Sequence, residues 1–285
     1  MKIACVQTDV VFANLQANLE RVLKWIELAG RAQADLVVFP ECMLCGYSYE
    51  SRDEALEQAV SVDDPVFSTI AAAAAANQLN VTIGFLEVHG DRLFNASALI
   101  GCGGPDRAGN EVPGGVIGVY RKIHLPQLGV DQFVDRGDIP YRVLGAGDVN
   151  IGLAICYDCS FPEPMRILGM EGADVIALGT NWPVAAMRTA EIVPPARSME
   201  NHLFFVAANR VGTERGFEFC GRSSICGPDG VVLVSSHDDE ETMLLADIDP
   251  AQARNKRIER TAGKHVIHRM NDRRPEFYDK ISRPN

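Results

Sequence analysis

The sequence predicts an α/β protein, a single domain of layered sheets and helices. Two observations carry this. Short apolar runs rich in Val and Ile alternate with longer segments of helical spacing. No linker rich in Gly, Pro and Ser, no internal repeat and no low-complexity tract divides the 285 residues. A sandwich of two sheets covered by helices fits the pattern, although periodicity alone leaves the topology open.

The elements follow in order. Lys2–Gln7 reads as a first strand. From Asn14 to Gly30, Leu15, Leu19, Val22, Leu23, Ile26 and Leu28 recur at helical spacing, with Gly30 as the expected stop. Leu36–Phe39 is a buried strand closed by Pro40. Helical segments are expected at Glu54–Val60 and Val66–Leu79, then strands at Val81–Val88 and Ala96–Ile100. Gly101 to Gly115 reads as a loop rich in Gly, Pro, Asn and Asp. Val116–Lys122 and Val149–Ile155 are strands separated by the irregular, polar stretch from Gln127 to Pro140. Pro162–Gly172 is a helix with proline in its first turn. Val175–Leu178 is a strand, and Ala185–Asn201 is helical despite Pro194-Pro195. Phe204–Asn209, Ser223–Cys226, Val231–Val234 and Thr242–Ile248 are strands, the last three hairpin-like. The domain is expected over 1–260, and residues 261–285 as a charged, poorly periodic tail that docks on a partner subunit.

Composition narrows the function classes. Apolar residues make up 47% and charged residues 23%, an ordinary globular balance. A chain of this length buries a sizeable core without disulfides or metal. The formal charge is −11. Together with the absence of a long basic run, that argues against nucleic acid as a partner. No stretch approaches the ~20 apolar residues of a membrane helix, and the N-terminal apolar run is short for a secretory signal. The expected compartment is cytoplasmic, with the eight cysteines reduced.

Three reactive side chains share one placement. Glu41, Lys122 and Cys156 each stand at or just past the carboxyl end of an apolar strand. Open α/β sheets place their crevices there. A cysteine thiolate attacks carbonyl carbon. A carboxylate can take the thiol proton and later that of a hydrolytic water. A lysine ammonium can hold an oxyanion. Singly, each has a plainer reading: Glu41 as a turn residue, Lys122 as surface, Cys156 as a small buried apolar group.

In combination they are specific. Phe39-Pro40-Glu41, Tyr120-Arg121-Lys122-Ile123-His124-Leu125-Pro126 and Ile155-Cys156-Tyr157-Asp158 with Phe161-Pro162-Glu163 resemble the three catalytic blocks of the nitrilase (carbon–nitrogen hydrolase) superfamily, in its order. Gly179-Thr180-Asn181-Trp182-Pro183, Ala196-Arg197-Ser198-Met199-Glu200-Asn201, Ala207-Ala208-Asn209-Arg210-Val211-Gly212 and Gly221-Arg222-Ser223-Ser224 extend the resemblance to about Pro250. It implies a four-layer α-β-β-α sandwich, usually assembled as a homodimer or higher homo-oligomer. It implies Glu41 as general base, Lys122 as oxyanion stabiliser and Cys156 as nucleophile, with the Tyr157 backbone N–H as second oxyanion donor. No metal or organic cofactor is implied. Many members carry a second carboxylate, commonly Glu, between the lysine and cysteine blocks. Here the candidate is Asp131, with Asp135 the alternative, each one methylene shorter than Glu.

Cys156-Tyr157-Asp158 resembles the amidase-like branches more than true nitrilases, which usually carry Trp-Glu after the nucleophile. The expected substrate is therefore a small amide. N-carbamoyl compounds are the alternative; nitrile hydrolysis and acyl transfer come after. Asn181 and Trp182 are expected to line the pocket, with Tyr47 and Phe161 as further candidates. Arg188 and Arg197 could bind a substrate carboxylate or stand as ordinary helical arginines, Arg197 pairing with Glu200. A rival reading is a zinc or redox protein built on Cys42-x-x-Cys45 and Cys156-x-x-Cys159, but these pairs stand far further apart than the ~15–20 residues of compact zinc modules. A papain-like Cys–His reading finds no Cys-Gly-Ser-Cys pattern. His124 is expected to fix the loop after Lys122 instead.

Overall fold

A computed structural model describes residues 1–105, 109, 111, 112 and 114–283. The chain opens with strand β1 (Lys2–Gln7) and helix α1 (Leu15–Arg31), whose first turn is capped by the Asn14 side chain accepting from Ala17 N. Gly30 lies inside this helix rather than ending it. A Cβ there would meet Asn77 Oδ1 at 2.3 Å, so the glycine serves close helix packing. Next come β2 (Leu36–Val38), α2 (Arg52–Leu56), and α3 (Pro65–Ala76), which has Asp64 as cap and proline at its start. β3 (Asn80–His89) and β4 (Arg92–Gly101) form a long hairpin.

The Gly101–Gly115 stretch, expected as loop, carries a small ribbon, β5 (Gly104–Pro105) with β6 (Glu111–Val112). Residues 106–108, 110 and 113 lie outside the described residues. β7 (Gly115–Arg121) closes the first half. β8 (Val143–Ala146) pairs with β9 (Val149–Ile155); it is too short for a periodicity signal and was not expected. α4 (Pro162–Met170), β10 (Val175–Thr180), α5 (Met187–Asn201) and β11 (Phe204–Asn209) follow. A minor ribbon joins β12 (Thr213–Glu214) to β13 (Phe217–Glu218). β14 (Ser224–Cys226) and β15 (Val232–Ser235) pair as a hairpin.

β16 (Thr242–Asp247) does not continue that hairpin. It crosses to the other sheet and pairs antiparallel with β1. α6 (Pro250–Arg254) leads to a ribbon of β17 (Arg257–Thr261) and β18 (His265–His268), where an irregular tail was expected. The expected 260/261 boundary falls inside this ribbon.

Two six-stranded sheets result, in the orders β16-β1-β2-β3-β4-β7 and β15-β14-β11-β10-β9-β8. Strand alternation explains how they stack. Ile3, Cys5, Leu36 and Val38 face the second sheet and join Leu153, Ile155, Ala177 and Val206 in one core. Ala4, Val6 and Val37, half a period away, face the helices and pack with Val22, Ile26, Phe67 and Ile70. Helices α4 and α5 cover the second sheet through Met165, Leu168 and Ala190. The layers are therefore α-β-β-α in one domain.

Candidate active site

Glu41 reaches the interior because the sheets leave a slot for its backbone. A Cβ on Gly84 of β3 would stand 2.5 Å from Cys42 N, and one on Gly179 of β10 would stand 2.9 Å from Glu41 N. One glycine from each sheet thus admits the Pro40–Cys42 backbone between them. Lys122 follows β7 directly. Its backbone N–H donates to the Asn95 carbonyl at 2.8 Å, which registers it beside the middle of β4.

Cys156 follows β9 and has φ +45°, in the left-handed region that side chains with a Cβ rarely adopt. The strand breaks there into the short 3₁₀ turn Cys156–Ser160. Asp158, buried in that turn, holds it by accepting from four donors. These are Ile155 N (3.0 Å), Tyr120 Oη (2.8 Å), His124 N (3.2 Å) and the His124 ring at Nδ1 (2.8 Å). Asp158 therefore ties the cysteine turn to the lysine strand. His124 does fix the loop after Lys122, and it also stacks on Phe161 at 4.0 Å between ring centres. The Arg197 guanidinium is engaged by main-chain carbonyls. It clamps the far side of the same turn, donating to Cys159 O (2.8 Å) and Ser160 O (3.1 Å) and pairing with Glu200 (2.9 Å). Arg188 is exposed and pairs with Glu191.

The three strand ends converge on a buried polar knot. Lys122 Nζ donates to Glu41 Oε1 at 2.7 Å and to Asp131 Oδ2 at 2.5 Å. Asp131 comes from the 3₁₀ turn Gly129–Gln132 and also accepts from Tyr47 Oη at 2.7 Å. Asp135 lies elsewhere, on Arg52 (2.8 Å) and Leu93 N (2.9 Å). Tyr47 is wholly buried; its hydroxyl serves Asp131 and Leu128 O, and its ring faces Lys122 Nζ at 5.9 Å. Asn181 Nδ2 donates to the Glu41 carbonyl at 3.0 Å. Trp182 is buried, its backbone N–H donating to Asn209 Oδ1 at 2.8 Å. Tyr157 is 39% exposed and meets Phe161 edge-on.

Asn95 is the residue the sequence reading missed. Its Nδ2 donates to Glu41 Oε1 (2.7 Å) and to Asp131 Oδ1 (2.9 Å), and its Oδ1 faces Cys42 Sγ at 3.6 Å. The one available signal was a polar amide which, with Ser97, interrupts the apolar Leu93–Ile100 run on a strand buried from both faces.

The electrostatics follow from burial and pairing. Burial raises the Glu41 carboxyl above its ordinary range; Lys122 opposes that shift and Asp131 adds to it. Burial alone would lower the Lys122 ammonium, but Asp131 and Glu41 outweigh it and hold the lysine well above its usual value. The Cys156 thiol is pushed up to about 12, by burial first and by Glu41 second. Lys122, the Thr180 hydroxyl and the Asn181 backbone N–H work in the other direction and favour the thiolate. The neutral Cys156 thiol thus stands beside the Lys122 ammonium, which Glu41 and Asp131 bracket.

The two C-x-x-C pairs lie in separate surroundings. Cys42 and Cys45 pack with Tyr47, Tyr49 and Leu86, while Cys156 and Cys159 belong to the inter-sheet core. Among the described residues, no group of three or more His, Cys, Asp or Glu side chains is arranged to hold a metal ion. Nor is any helix among them long and apolar enough to cross a membrane.

The carbon–nitrogen hydrolase family model matches residues 2–258. The chain belongs to that family, the nitrilase superfamily. A nitrilase of Pyrococcus abyssi is 35% identical over 98% of this chain and 99% of its own. An (R)-stereoselective amidase of a Pseudomonas species is 33% identical over 89% and 87%. The crystal structure of an amidase from a Nesterenkonia species shares the fold, with a TM-score of 0.79 at 24% identity, covering 99% of this chain and 96% of that one. The chain is thus a carbon–nitrogen hydrolase.

Proposed function

We propose that the chain hydrolyses a small primary amide to an acid and ammonia through a thioester on Cys156. The observation that carries this is the Lys122 ammonium bracketed by Glu41 at 2.7 Å and Asp131 at 2.5 Å, with both Lys122 and Glu41 acting on the Cys156 sulfur.

The steps follow from the atoms. A thiol held up at about 12 does not ionise at rest, so its proton leaves as the sulfur attacks the carbonyl carbon. Glu41 receives that proton; burial has raised its basicity above that of an ordinary carboxylate. The ammonium of Lys122 has three donors. Two are engaged by Glu41 and Asp131, leaving the third for the substrate oxyanion. The first N–H groups of a helical turn have no partner within it. The Tyr157 N–H, in the first turn after the break at Cys156, is the second oxyanion donor. Glu41 returns its proton to the departing nitrogen, ammonia leaves, and the thioester forms. Glu41 then takes a proton from water, which attacks the thioester and releases the acid.

The choice of amide over nitrile rests on Tyr157-Asp158 following the nucleophile, and on the amidase among the relatives. The buried side chains Asn181 and Trp182, with Phe161 and Tyr157 nearer the surface, line the acyl end. Exposed Ile192 and Met199 on α5 and Val231–Leu233 support a homo-oligomer, which light scattering of the purified protein tests.

Ammonia release by purified protein across primary amides, N-carbamoyl compounds and nitriles, beside a Cys156→Ala variant, tests the reading. Release from primary amides, absent in the variant, is expected. Release from N-carbamoyl compounds or nitriles alone would overturn the substrate class.

A further inference from the structure

Asn95 stands at a junction that the proposed reaction leaves unexplained. Glu41 has two carboxylate oxygens, and they are not equivalent. Oε1 accepts from both Lys122 Nζ and Asn95 Nδ2, each at 2.7 Å. Oε2 is buried and accepts from none of the described residues. The Asn95 amide group has two hydrogens, and the two carboxylates take one each, Glu41 Oε1 and Asp131 Oδ1. A flipped amide would set its oxygen against both carboxylates. The unflipped one sets that oxygen against the Cys42 thiol, a donor, at 3.6 Å. Cys42 is itself held with φ +50°, and its sulfur is fully buried. The backbone of Asn95 receives Lys122 N–H at 2.8 Å, so the same residue registers the lysine and spaces the two carboxylates.

We propose that Asn95 is a positioning residue for Glu41. By sharing Oε1 with Lys122, it fixes the carboxylate so that Oε2 alone takes the proton of Cys156. The inference rests on Glu41 being the base. Its physical consequence is directional. A hydrogen bond to the charged form of a carboxylate favours that form. Taking the donor away therefore raises Glu41 further and moves the acid limb of Cys156 reactivity to higher pH.

The test needs no known substrate. Iodoacetamide is small, amide-shaped and alkylates thiols, and the modified Cys156 peptide is quantified by mass spectrometry from acid to alkaline pH. Wild type should show an acid limb that Glu41→Gln removes. Asn95→Asp keeps the side chain's shape and replaces donor by acceptor; Asn95→Leu keeps its bulk and removes polarity. Both should move the limb upward by about one pH unit, so that rates on the acid side of the limb fall by roughly 10-fold. The shift in Asn95→Asp should be at least as large as in Asn95→Leu, because a third carboxylate joins the site. If Asn95→Asp does not fold, the limb of Asn95→Leu decides alone. A purely space-filling Asn95 would leave the limb in place, with losses equal at every pH, and that result overturns the assignment. A wild-type limb that persists in Glu41→Gln would instead remove Glu41 as the base, and the positioning role with it. Failure of every amide to release ammonia, with the limb and its shift intact, would sink the amidase reading alone.

Discussion

Tyr120 Oη donates to Asp158 Oδ2 at 2.8 Å, and this bond joins the strand that precedes Lys122 to the turn that carries Cys156. Tyr120 lies on one sheet and Asp158 in the turn that ends a strand of the other, so the bond holds the spacing between Lys122 and Cys156. All four groups meeting Asp158 are placed to donate to it. Asp158→Asn puts an amide N–H against donors and is expected to lower turnover more than Tyr120→Phe. The latter loses one bond and about 1–3 kcal/mol of stability. Thermal unfolding and turnover measured on both variants check the ranking. Equal, wild-type values would contradict it.

The pH profile follows from the directions of shift. Glu41 must be ionised to accept a proton, and burial raises it. Activity should therefore fall as pH drops through a value above the ordinary ~4.3 of glutamate. Lys122 is held well above its usual value and stays charged through the neutral range. The expected kcat/KM profile has one acid limb at a raised position and a plateau through neutral pH. An acid limb at or below the ordinary glutamate value contradicts the burial argument.

Arg121, next to the lysine, is itself buried and forked onto Glu87 at 2.6 and 2.8 Å, with its guanidinium also stacked 4.2 Å from the Phe94 ring centre. Removing one partner leaves the other charge buried without its counterion. Arg121→Met should cost about 3–5 kcal/mol in chemical denaturation. Arg121→Lys should recover little of it, since an ammonium cannot reproduce the fork.

Gly84 and Gly179 give a steric prediction. Each Cβ would press on backbone atoms of Pro40–Cys42, which cannot move aside as a side chain can. Gly84→Ala and Gly179→Ala should each displace Glu41 and depress turnover by roughly 100-fold, the scale expected of a misplacement near 1 Å. Either variant crystallising with Glu41 in place and full activity would contradict the slot.

Most of the layered fold was legible because its signals are local. The apolar runs ending at Phe39, Tyr120 and Ile155 lead within one or two residues to Glu41, Lys122 and Cys156. The pairing of β16 with β1 was not legible, because edge strands read alike whichever sheet they join. The β17–β18 ribbon alternates exposed charged and apolar residues too weakly to signal itself. Asp131 entered only through the family resemblance, and its separation from Asp135 depended on tertiary contacts. Asn95 had no motif at all: its meaning lies in Glu41 and Asp131, one distant in sequence on each side, and only the folded sheets bring the three together.

The central claim is that Cys156 carries the acyl group. The most direct measurement is the mass of the protein, quenched in acid during turnover of a primary amide, followed by mapping of the modified peptide. The account predicts an increase equal to the acyl group, located on Cys156 and absent in Cys156→Ala. An adduct on another residue, or undiminished turnover by Cys156→Ala, would contradict it.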